Sequence, residues 1–342
     1  MFFVERHERW EGERVAKNRN VAKNHHYVPQ GYLKGFANDK GQIRVVPLDK
    51  ARTRYTPHVR NVASRSHFYR IDHEESDAIE KFLSEVEAAA IPIIRRIAEG
   101  EWRISEEERW TLSYFLSAQV VRGPDTRESS DYLLSSMVRL GLEFSGREKA
   151  GQFLRDNFGV ELSEAEVQGI WDKANSEEEI FLRNSRNYHL DLMFDMAEKL
   201  SSYMVLRPWV FIRFERRALL TSDAPVSLIP SLQAKELEGV GFSNAWAIVF
   251  PVSRRVAILM IDPLPLVKVI PAGDKNVAKL QQQICEGIYD GCEVGTTERE
   301  KFINASTLGK AREYVYCHPE DERFIPEELP EPDLINFARV NW

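Results

Sequence analysis

The chain has 342 residues, of which 43% are hydrophobic and 29% charged, a balance that suits a folded globular protein and excludes wholesale disorder. Its longest apolar runs, Ala245–Val252 and Val256–Met260, fall far short of the ~20 residues that cross a bilayer, so no membrane partner is expected. Acids and bases crowd the opening MFFVERHERWEGER where a signal peptide needs an apolar stretch, and Cys285, Cys292 and Cys317 form no CxxC, so the expectation is a reduced, cytoplasmic protein without a disulfide framework or zinc ribbon.

In chain order, residues 1–23 read as an N-terminal extension, and the first strong signal is charge. Residues 14–70 hold thirteen Lys or Arg and two acids, Asp39 and Asp49, a net of +11 in a chain whose total is −7. His25, His26, His58 and His67 fall in the same stretch. A basic segment in an acidic protein suits a polyanion partner, here RNA or DNA. Pairing with the acidic remainder of the same chain gives the same count. Within this region QIRVVPLDKARTRYTP has the composition of two short strands with a turn near Leu48–Ala51, and SHFYRI that of a third.

From Ser76 the period changes. Ile79, Phe82, Leu83, Val86 and Ala90 have the spacing of an amphipathic helix, which Pro92 is expected to kink or restart. Ser105 with Glu108 forms a capping box that opens SEEERWTLSYFLSAQVVR, and Gly123-Pro124 closes that helix. Further helices are predicted over 125–141, 147–157, 163–174, where Ser163 with Glu166 forms another capping box, and 177–203. After Arg207-Pro208 the pattern is strand-like: WVFIRFE, ALLTS, AWAIVFPV and RVAILMI. DKNVAKLQQQICEGIYDG returns to a helix and REYVYC is a last strand. Segregated runs of this kind predict an α+β fold: a mixed or antiparallel sheet from the N- and C-terminal strands, with a large helical block at about 76–203 inserted into a single domain over 24–318. Residues 319–342 read as an acidic arm, with seven acids in EDERFIPEELPEPD. It is either a solvated connection to a terminal segment anchored by Phe337 and Trp342, or it lies across the basic N-terminal region.

Three constellations carry candidate chemistry. In Asn24-His25-His26-Tyr27-Val28-Pro29-Gln30 the adjacent imidazoles can supply general acid–base chemistry or metal ligation; the alternative is one exposed His and one bonded to a carbonyl. Gln119 and Arg122 share a helix face, and Arg122 can clamp a phosphate or cap the helix end. In Thr221-Ser222-Asp223-Ala224-Pro225, Asp223 can bind a metal, orient a His or simply shape a turn, an ambiguity shared by Ser253 in Pro251-Val252-Ser253-Arg254-Arg255. His189 lies on the stripe of Leu182, Leu192, Met193, Met196 and Leu200 and reads as a packed core histidine, and His73 as part of a solvated acidic turn. There is no GxGxxG, GxxxxGK[ST], HExxH or GxSxG.

The string NHHYVPQGYLKGFA resembles the opening motif of the domain-of-unknown-function 4238 family, a bacterial group. AQVVRGPDTRE, RPWVFIRFERRALLTSDAPVSL, FPVSRRVAILM and INASTLGKAREYVY are similar to its later pieces. The resemblance implies no established activity, but it places the His-His, Gln-Arg and Ser-Asp-Pro pieces in one module.

The resulting expectation is a nucleic-acid-directed hydrolase, a nuclease. His25, His26, Arg122 and Asp223 are its catalytic candidates, and Tyr27, Gln30, Gln119, Arg127, Ser222 and Ser253 its substrate-binding ones. A divalent metal ion is the cofactor this reading allows, with His26 and Asp223 as candidate ligands. The competing expectation is a non-enzymatic protein that binds or senses nucleic acid or another anionic ligand. His26, Arg122 and Asp223 are expected to share one concave surface.

Overall fold

The computed structural model describes residues 24–66, 78–176, 183–231 and 239–331. Its elements in chain order are β1 (Asn24–His26), α1 (Gln30–Leu33), β2 (Arg44–Pro47), β3 (Ser64–Ser66), α2 (Ala78–Glu99), α3 (Glu106–Val121), α4 (Pro124–Ser145), α5 (Ala150–Phe158), α6 (Glu164–Ala174), α7 (Arg186–Val205), β4 (Trp209–Arg213), β5 (Thr221–Ser222), β6 (Ser227–Ile229), β7 (Ala247–Ser253), β8 (Val256–Ile261), α8 (Leu264–Val269), α9 (Asp274–Cys285), β9 (Gly291–Val294), α10 (Thr297–Lys310) and β10 (Tyr314–Cys317). The fold is α+β. The N-terminal extension, His67, His73, Leu182, Phe337 and Trp342 lie outside the described residues.

The two ends of the chain do meet in a sheet. β10 lies between β2 and β5, antiparallel to both, with Val315 opposite Val46 and Ser222. The strands nevertheless divide into three sheets rather than one. Among the described residues β1 pairs only with β3, and β6-β7-β8-β4-β9 form a separate mixed sheet in which β4 and β9 are parallel. The expected second N-terminal strand reduces to single bridges, Val45 to Tyr55 and Gln42 to His58. Ala51 to Tyr55 is exposed and offers no buried face to hold a longer ladder.

The hairpin β7–β8 is the centre of the core. AIVFPVS is buried at every position, as a continuous apolar run requires when both faces of a strand are covered. Residues of α2, α3 and α7 share its hydrophobic cluster, whereas α4, α5 and α6 gather a smaller one around Val138, Leu142, Leu154 and Ala174. Both predicted capping boxes form, at Ser105 and Ser163. α2 runs unbroken through Pro92, because Ala90, Ile91, Ile93, Ile94 and Ile97 are buried on both sides of it. α10 was not legible as a helix, since polar residues occupy its inner face. Asn304 accepts from the Leu220 N–H and donates to the Ala218 carbonyl and to Glu300. No helix among the described residues is long and apolar enough to cross a membrane.

Tyr32, fully buried, explains why the distant strings belong together. Its hydroxyl donates to the Pro251 carbonyl at 2.7 Å and lies 2.6 Å from the Thr221 hydroxyl. Three residues further along each segment, the Arg254 N–H donates to the Gly35 carbonyl at 2.9 Å. The acidic arm begins with a helical turn, Pro319–Phe324, docked on the body rather than solvated: Glu322 pairs with Arg44 and Arg54, and Asp321 with Arg254.

Candidate functional site

β1 is three residues long and is set by its pairing with β3, His25 opposite Arg65 and His26 opposite Ser64. Neighbouring side chains on a strand diverge. His25 is buried, 4% exposed, with Nε2 3.5 Å from Glu80 of α2. His26 is half-buried. Its Nδ1 donates to the Val62 carbonyl at 3.0 Å, so the ring proton sits there and Nε2 carries the lone pair, which accepts from the Gln30 amide at 2.9 Å. The turn that receives the Nδ1 bond is strained. Ala63 has φ 52°, a left-handed conformation that costs a residue with a Cβ roughly 1–2 kcal/mol, and its carbonyl accepts from the Tyr27 N–H. Strain of this kind gathers where the surroundings hold a site in place.

The second half of the site comes from helices. α3 stops at Arg122, its C-cap, because Gly123 and Pro124 start α4 in a new direction. Arg122 is 2% exposed and donates through Nη1 to Glu87 of α2 at 2.8 Å; it does not spend its guanidinium on helix carbonyls. Its Nε and Nη2 find no protein acceptor among the described residues, and neither polar atom of Gln119, one turn earlier and 5% exposed, finds a partner. Leaving a buried polar group unpaired costs about 1–3 kcal/mol, more when it is charged. Three donors and one acceptor on one helix turn are therefore left with unmet hydrogen-bonding capacity among the described residues. Both charges act on His26. Burial lowers its pKa most; the Val62 bond and Glu87 raise it, and Arg122 lowers it. The imidazole is therefore neutral at neutral pH, a base in the field of a guanidinium with two donors unpaired among the described residues.

Asp223 is an electrostatic neighbour of Tyr27, the residue that follows His26. Asp223 follows β5, and its carboxylate accepts from the N–H groups of Arg312, Glu313 and Tyr314 at 2.9, 2.7 and 3.1 Å. It is a loop anchor, with the buried hydroxyls of Tyr27 and Tyr316 as electrostatic neighbours, both pushed up by burial first and then by nearby negative charge. Ser222 closes a turn on Ala224, and Ser253 accepts from the Arg255 N–H. Arg127 is an electrostatic neighbour of His189, which is buried against Asp131 at 3.1 Å. Among the described residues no three His, Cys, Asp or Glu side chains gather in a way that could hold a metal ion, and the Asp223 oxygens are already engaged. Sequence reasoning missed Glu87. Its signal was a carboxylate four residues after Leu83 and four before Ile91, both buried, so it interrupts the inward stripe of α2.

The histidine environment has a consequence for stability. His26, His189 and His318 all have pKa values lowered by burial from 6.5. A histidine shifted this way binds protons better in the unfolded chain, so stability is complete above the unfolded value and is lost as pH falls below it. Thermal melts are expected to lose stability below pH 6.5, before carboxylates titrate near about pH 4, and His26→Asn should reduce that loss. A melting temperature unchanged down to about pH 5 would contradict this environment.

A family model described as "Protein of unknown function (DUF4238)" matches residues 24–321, a span that contains the whole cluster. No curated protein and no solved structure matches the chain.

Proposed function

The chain belongs to the DUF4238 family, and we propose that it is a nucleic-acid-directed hydrolase, a nuclease, whose reacting phosphodiester docks at His26, Gln119 and Arg122. In this reading His26 Nε2 is the general base, released when substrate takes over the Gln30 amide, and Arg122 stabilises developing phosphoryl charge. Gln119 donates to a non-bridging oxygen, and Glu87 holds the guanidinium in place. In this reading Asp223 anchors the loop at Arg312–Tyr314 and takes no part in the reaction. The observation that carries the proposal is the set of unpaired buried donors on Gln119 and Arg122 beside a neutral imidazole. The exposed cations Lys34, Lys40, Lys50 and Arg60 support a polyanionic substrate, and three free thiols suit a cytoplasmic location.

A second reading, an anion-binding or sensing protein without turnover, is favoured by the intrachain use of the basic segment: Arg44 and Arg54 pair with Glu322, and Arg65 with Glu313. Purified protein incubated with labelled RNA and DNA, with magnesium, manganese or chelator, separates the two. Cleavage that Arg122→Met abolishes is the expected result. Binding without cleavage in every condition gives the second reading, and binding unchanged between low and moderate salt removes the polyanion altogether.

A further inference from the structure

Away from the His26 cluster, four cations and one aromatic ring line an open cleft of about 410 Å³: Arg216, Arg217, Lys301, Arg323 and Phe324, with Glu300 at the base. Its volume lies within the roughly 300–1,000 Å³ range of small-ligand sites. The cleft is built rather than incidental. Glu300, 2% exposed, accepts from Arg217 Nε at 3.0 Å and Nη2 at 2.9 Å and is itself held by Asn304. The Arg217 carbonyl accepts from Arg255. The guanidiniums of Arg217 and Arg323 each lie 5.1 Å from the centre of the Phe324 ring, so one ring positions both. Glu300 offsets a single charge, and exposed Glu298 acts on Lys301 and Arg217 from the rim. Arg216, Lys301 and Arg323 remain exposed around the opening.

We propose that this cleft is a second anion site, for a ligand carrying adjacent phosphates. Several cations converging on one small volume match a multiply charged chain better than a single carboxylate, and guanidiniums fixed before binding lose little freedom on forming forked bonds to phosphate oxygens. The site stands independently of the nuclease reading, because none of its lining residues belongs to the His26 cluster.

The test is calorimetric titration of the full chain with inorganic tripolyphosphate and, separately, with ATP. The cleft variant Arg216→Ser/Lys301→Ser/Arg323→Ser is compared with a charge-matched control, Arg147→Ser/Lys149→Ser/Lys173→Ser. All six residues are exposed, and circular dichroism checks that both variants fold. The expected result is saturable binding to the wild-type chain and the control, weakened at least about 10-fold in the cleft variant. Equal affinity for the two ligands places recognition on the phosphates alone, and tighter ATP binding adds a contact to the nucleoside; either supports the site. Absence of binding to the wild-type chain, unchanged binding in the cleft variant, or an equal loss in the control would overturn it.

Discussion

His26→Ala is expected to lower turnover by about 10²–10⁴-fold while the chain melts close to wild type, and His25→Ala to do the opposite. The imidazoles are adjacent in sequence but differ in environment. His26 is half-buried, with its proton fixed on Nδ1 by Val62 and its lone pair toward Gln30, within the field of Arg122 and Glu87. His25 is 4% exposed against Glu80. Removing it opens a cavity and strips a buried partner, for a loss of about 1–3 kcal/mol in stability with catalysis retained in the surviving fold. Turnover measured beside thermal unfolding for both variants checks this. Two variants with full activity and wild-type melting would reduce the pair to surface decoration.

The second large effect is expected at Asp223. Asp223→Ala leaves the N–H groups of Arg312, Glu313 and Tyr314 without their shared acceptor, at the point where β5 meets β10. Bonds to a charged acceptor are worth about 1.5–3 kcal/mol each and do not add fully, so a loss of about 3 kcal/mol is expected in urea unfolding. Asp223→Asn, which keeps a carbonyl acceptor, should recover part of it. A variant that unfolds like wild type but has lost all turnover would return Asp223 to the catalytic machinery.

What could be read from the sequence follows where single side chains determine the outcome. The capping boxes at Ser105 and Ser163 formed because two reciprocal bonds define a helix start locally. The strands β7 and β8 were legible from their apolar runs, and a sheet shared by N- and C-terminal strands from β-rich segments in both regions, whereas the pairings themselves were not. α10 was hidden because Asn304 and Thr307 face inward, where a sequence pattern expects apolar residues. The same contrast holds in the site. Gln119 and Arg122 are one helix turn apart, so their common face follows from periodicity. Glu87 enters only through the packing of α2 on α3, and the place of Asp223 depends on backbone donors ninety residues away, which carry no side-chain signature.

The most direct measurement is the response of the cluster itself to an anion. In the isotopically labelled full chain, inorganic phosphate is titrated while the His26 ring signals and the Arg122 Nε–Hε signal are followed by NMR, with Arg122→Lys as the comparison. Lysine keeps the charge but loses the fork. The account predicts saturable shifts of both signals in the wild-type chain and at least about 10-fold weaker binding reported by His26 in the lysine variant. His26 and Arg122 signals that stay still while phosphate reaches saturating effects elsewhere on the chain would contradict an anion site at this cluster.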